Sequence, residues 1–138
     1  MFFDPARGAA MAERRKRGGH LLSKHRFIAA QFEAFLADDL WLALAGHANR
    51  MADRLAGQLT RIDLAPVWPV EANLVFVLLP QSLHERLQAQ GAHYYVIHTD
   101  RTDPATVPAG HVLVRLVTSF AITEDDIDKF VSLAKQSR

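Results

Sequence analysis

The spacing of apolar residues changes character between Leu59 and Leu74, and this change constrains the fold more than any other feature of the chain. Upstream, Trp41, Leu44, Ala48, Met51, Leu55 and Leu59 lie on one stripe of a helix of roughly five turns. Before it, Leu21, His25, Ile28, Phe32 and Phe35 or Leu36 share a face of another helix beginning at His20. Asp38 or Asp39 is placed to cap the long helix. Two antiparallel helices joined at this Asp-Asp corner account for residues 20–61. Pro66 and Pro69 then end the helical period. Opened by Asn73, residues Leu74 to Leu79 are continuously apolar, as in a strand covered on both faces or lying in a covered sheet, and Pro80 stops the run.

The rest of the chain continues in the same style. Ser82 and Glu85 have the spacing of a capping box, and Gly91 is placed to end the short helix that follows. Residues 93–98 and 112–117 read as two more strands, separated by a loop over 99–110 that carries Pro104, Pro108 and Gly110. Thr123 caps a last helix with Glu124, Asp125 and Asp126 in its first turn and Lys135 near its end, the charge order that suits the helix dipole. Its buried face is Ile127, Phe130, Val131 and Ala134. Residues 6–17 form a short N-terminal helix, interrupted by Gly18 and Gly19. The succession predicts an α+β fold, long helices followed by a three-stranded sheet covered on one side by helices.

A length of 138 residues suits one compact domain, and the lack of cysteine excludes disulfides, thiolate metal sites and a cysteine nucleophile. It also fits a cytoplasmic protein. Phe2 and Phe3 run straight into Asp4 and Pro5, so no secretory signal is expected, and the apolar run ending at Leu79 is too short to span a bilayer. Charge is unevenly placed: residues 1–26 carry +5 and the remainder −4. The basic lobe, Arg14 to Arg17 with Lys24 and Arg26, suits nucleic acid, an anionic cofactor or plain solvent. No aromatic residue is interleaved between Arg14 and Lys24, which argues against a nucleic-acid module.

Few residues carry chemistry by their pattern alone. Gly18 and Gly19 beside the basic lobe fit a hinge or an anion site, but no phosphate-loop motif surrounds them. The pairs His20/His25 and His93/His98 are five apart, wrong for one face of a helix or strand, so no metal is expected. Arg115 is the most informative residue, a permanent cation inside the apolar strand 112–117. It reads either as an edge-strand salt bridge or as a bidentate clamp for a ligand carboxylate at a cleft. Asn73, at the start of the buried strand, reads as a turn residue or as an active-site polar group.

Several stretches, taken in order, resemble the low-specificity L-threonine aldolases, and within them the branch of the phenylserine aldolases. They are Phe2 to Pro5, Arg15 to His20, Ser23 to Phe27, Asp39 to Leu42, His47 to Ala52, Glu71 to Val77 and Val114 to Phe120. The resemblance implies the small domain of a pyridoxal-phosphate enzyme of the aspartate-aminotransferase fold. It implies that residues 1–36 are a remnant linking to a large domain and that residues 37–138 are the small C-terminal domain. It assigns the substrate α-carboxylate to Arg115 and places Lys16 near the cofactor. Where many members read Met-Arg-Gln, with the Arg on the cofactor phosphate, this chain has Leu22, Ser23 and Lys24, so Ser23 or Lys24 takes that contact.

The family's Schiff-base lysine lies upstream of the Phe-Phe-Asp stretch, so the chain is expected to be a C-terminal portion without aldolase activity of its own. In the family, pyridoxal phosphate serves as electron sink while a β-hydroxy-α-amino acid is cleaved to glycine and an aldehyde. The implied partners are an amino-acid substrate, the large domain and further copies in a homo-oligomer, with no nucleic acid and no membrane. The alternatives are a small basic-armed nucleic-acid module and a non-catalytic remnant.

Overall fold

The computed structural model describes residues 8, 10–97 and 107–135. The Phe2 to Pro5 stretch, the start of the first helix, His98 and most of the 99–110 loop with Pro104 lie outside the described residues. The chain divides into two compact units, Met1–Trp41 and Leu42–Arg138.

In the first unit, α1 spans Met11–Arg17 and ends at Gly18, with Gly19 turning the chain at φ 71°. The next helix, α2, spans His25–Leu36 and starts later than the apolar spacing implies. Lys24 sits just ahead of it in the left-handed region, φ 62°, and this turn keeps Leu21 off the helix. The Asp-Asp corner is a 3-10 turn, Ala37–Asp39. Asp38 and Asp39 adopt φ 51° and 56°, not the extended backbone of a capping residue, so they make the corner by tolerating left-handed geometry.

The second unit is an antiparallel sheet with helices on one face. Helix α3 spans Leu40–Thr60 and buries Ala48, Met51, Leu55 and Leu59 of the expected stripe together with Ala52, while Trp41 at its start is exposed and Leu44 half-buried. Its end is closed by Asp63 at φ 60°, with the Leu64 N–H donating to the Leu59 carbonyl. The remaining elements are β1 (Leu74–Pro80), α4 (Gln81–Ala89), β2 (Tyr95–Val96), β3 (His111–Val117) and α5 (Glu124–Lys135). The sheet order is β1-β3-β2. Beyond β1 lies an isolated bridge, Pro66 to Val77, beside which the Val67 N–H donates to the Phe76 carbonyl at 2.8 Å.

Alternation along the strands sets the two faces. Val75, Val77, Leu79, Val114 and Leu116 pack with Met51, Leu55, Leu59, Leu83, Leu87, Ile127 and Val131 into the core. The other face carries Phe76, Leu78, Leu113 and Arg115, so β1 is fully covered on one side and half-covered on the other. The second strand is two residues long, and among the described residues it is continued by the Ile97 N–H donating to the Leu113 carbonyl.

Caps explain the ends of the last two helices. Ser82 lies inside α4, because Pro80 occupies the capping position, and Glu85 accepts a hydrogen bond from Gln81 at 2.7 Å instead. Gly91, φ 85°, ends α4 as predicted, the Ala92 N–H closing on the Leu87 carbonyl. At α5, Thr123 and Asp126 form a reciprocal box: the Thr123 N–H and hydroxyl donate to Asp126 at 2.9 and 2.7 Å, and the Asp126 N–H donates back at 3.2 Å. Those bonds hold the Asp126 carboxyl below its ordinary pKa.

Candidate functional site

The site is built on the central strand. β3 is bonded to β1 on one side and to β2 on the other, so Arg115 is not on an edge and the edge-strand reading fails. In register, Arg115 stands opposite Phe76 of β1 and Tyr95 of β2, with all three side chains on the face away from α3, α4 and α5. The guanidinium carbon lies 4.6 Å from the centre of the Tyr95 ring. Phe76 is held in turn by Trp68, edge to face at 5.0 Å. Among the described residues, ion pairs are made by Arg17 and Arg54, and no carboxylate pairs with Arg115. Its Nε is buried without a hydrogen-bond partner. Arg115 therefore meets the outside through its terminal nitrogens.

The strand ends beside Arg115 are pinned. Asn73 Nδ2 donates to the Thr118 carbonyl at 2.8 Å, and the Thr118 N–H donates to the Asn73 carbonyl at 3.1 Å. Thr118 Oγ1 reaches the Ala48 carbonyl of α3 at 2.7 Å. Asn73 is thus the clasp that closes the β1–β3 ladder. Next to it, His47 donates from Nε2 to the Ile122 carbonyl at 2.7 Å, fixing the turn before α5. The cavity of about 170 Å³ bounded by Leu55, Tyr94, Leu116, Ile122 and Phe130 lies on the helix side of the sheet and does not include Arg115.

The other predicted residues fall in the first unit. Lys16 is exposed in the last turn of α1, Ser23 is exposed in the turn that follows, and Lys24 is the exposed left-handed residue before α2. Arg115 belongs to the second unit. Sequence reasoning missed Tyr95, Phe76 and Trp68. An aromatic residue in each flanking segment was visible, but only the strand register puts two of them beside Arg115. Among the described residues, no group of three or more His, Asp or Glu could hold a metal, and no helix is long and apolar enough to cross a membrane.

No family model matches the chain. Over 96 residues, 69% of its length, it is 40% identical to the low-specificity L-threonine aldolase of Pseudomonas aeruginosa. Over the same length it is 34% identical to that of another Pseudomonas strain, and it spans 28% of each relative. Among solved structures, the threonine aldolase of Leishmania major matches with a TM-score of 0.77 at 28% identity, over 88% of this chain and 33% of that one. The serine palmitoyltransferase of Sphingomonas wittichii shares the fold, with a TM-score of 0.53 at 16% identity over 66% of this chain and 23% of that one. The fold is therefore that of a domain from the fold-type-I pyridoxal-phosphate enzymes. Within that class the chain is a relative of the low-specificity L-threonine aldolases and matches a part of them.

Proposed function

We propose that the chain is the C-terminal part of a pyridoxal-phosphate-dependent aldolase that cleaves β-hydroxy-α-amino acids, such as threonine or phenylserine, to glycine and an aldehyde. In this reading residues 37–138 are the small domain, and residues 1–36 link it to a large domain that carries the Schiff-base lysine. Arg115 holds the substrate α-carboxylate. The observation that supports it is a half-buried guanidinium on the central strand with no carboxylate partner among the described residues. A guanidinium keeps its charge, so an anion from outside is its natural partner. Two parallel N–H···O bonds would fix the plane of the carboxylate and so orient the Cα–Cβ bond that breaks.

Bound pyridoxal phosphate supplies the electron sink for that bond. The residues described here do not fit as its covalent attachment, because Lys16, Lys24, Lys129 and Lys135 all face solvent. Lys16, Ser23 and Lys24, exposed in a basic segment, are available to a phosphate brought by another domain.

The test joins this chain to the large domain of the Pseudomonas aeruginosa relative and measures glycine released from phenylserine and threonine. Turnover by the chimera, and none by the chain alone with added cofactor, is the expected result. A folded chimera with cofactor bound but no turnover would overturn the reading. Salt-dependent binding of DNA or RNA by the chain would support the binding-module alternative instead.

A further inference from the structure

We infer that Tyr95 is the positioning residue for Arg115, holding the guanidinium by its face so that its in-plane donors stay free for a carboxylate. The inference rests on the reading of Arg115 as a carboxylate site. An arginine side chain has several rotatable bonds, and an unrestrained fork loses much of its entropy on meeting a ligand. Proteins commonly restrain such a fork with an aspartate or glutamate, but that partner consumes the N–H donors the ligand needs. An aromatic ring attracts the cation through its π face and takes no donor.

Register, distance and exposure support this arrangement. Tyr95 is the direct cross-strand partner of Arg115, and the guanidinium carbon stands 4.6 Å from its ring centre. Tyr95 is 63% exposed, so core packing does not account for a large aromatic there. On the opposite side Phe76 is the register partner, itself steadied by Trp68. Nε is buried and unpartnered, which leaves the two Nη atoms as the accessible edge. A carboxylate would approach end-on, along the outer face of the sheet.

The test uses the full chain labelled with ¹⁵N, and sodium acetate as probe against a constant chloride background. Two quantities are read: the order of the Arg115 Nε–H vector without ligand, and, in every variant, the acetate dissociation constant from the backbone amide resonances of residues 76, 95 and 115. Tyr95→Phe should preserve both. Tyr95→Ala should loosen the side chain and weaken acetate binding by about threefold. Tyr95→Leu, which keeps apolar bulk at β2 without a π face, should behave like Tyr95→Ala and guards against simple loss of the strand. If Tyr95→Ala and Tyr95→Leu leave both quantities unchanged while Arg115→Lys abolishes the acetate response, the Tyr95 inference is wrong and the carboxylate reading stands. Tyr95→Phe behaving like Tyr95→Ala would also overturn it, since the hydroxyl and not the ring would then matter. An acetate response that survives Arg115→Lys, or none in the unsubstituted chain, overturns the carboxylate reading itself.

Discussion

Thr118 shows how a single hydroxyl can join two layers. Its Oγ1 donates to the Ala48 carbonyl inside α3, while its backbone closes the strand ladder with Asn73. Thr118→Val keeps the shape and removes one buried donor, so stability should fall by about 1 kcal/mol, read as a lower urea midpoint with an unchanged slope. In the proposed reading, Arg115 is the residue that meets the substrate. In the chimera with a large domain, Arg115→Ala should lower kcat/KM at least tenfold, about 1.4 kcal/mol, and Arg115→Lys should rescue poorly because a point charge lacks the fork. Unaltered kinetics for Arg115→Ala would remove it from the site. Arg115 was legible in the sequence because a permanent charge interrupts an apolar run. Tyr95 and Thr118 were not, since their roles come from contacts with segments far along the chain that no local pattern encodes.

Helix ends carry the next set of consequences. The Thr123–Asp126 box stabilises the carboxylate form of Asp126, chiefly through the Thr123 side-chain hydrogen bond and then the backbone one. A carboxyl whose folded pKa is lowered contributes fully above its unfolded value and loses that contribution as pH falls through the folded one. Thermal stability should therefore decline on acidification below about pH 4, and Asp126→Asn should flatten that decline. An identical acid limb in the variant would remove Asp126 as a cause. Gly91, at φ 85° with open space around its Cα, should tolerate a methyl sterically but not conformationally. Gly91→Ala should cost about 1 kcal/mol by chemical denaturation, and Gly91→Asn less. Both devices were visible in the sequence, because a Thr-x-x-Asp and a terminal glycine act locally. Ser82 with Glu85 has the same spacing as a capping box, yet Pro80 enters from the strand and takes the capping place. The Asp-Asp corner misled for a related reason: aspartate caps helices and also tolerates left-handed turns, and spacing does not distinguish the two.

At the scale of the molecule, an apolar surface is left open in the first unit. Leu21, Leu22, Phe27, Ile28, Phe32, Phe35 and Leu36 are all exposed there. Such a stretch favours association. The chain should sediment above its monomer mass at micromolar concentration, and a double Phe32→Asp, Phe35→Asp variant should shift it back toward the monomer. A monomeric parent chain that binds no hydrophobic dye would count against this. The α+β class and the one-sided covering of the sheet were legible from the switch of period at Pro66 and Pro69, because burial periodicity survives whatever the loops do. The way such association would grow is set by the rims of the sheet. One rim is β2, only two residues long. The other, β1, is flanked by Pro66, which has no N–H to offer, and by Val67, whose N–H is already given to Phe76. Among the described residues both rims are poor templates for an incoming backbone, so assemblies of this chain should join side chain to side chain and stop at small soluble particles, without seeding thioflavin-positive fibrils.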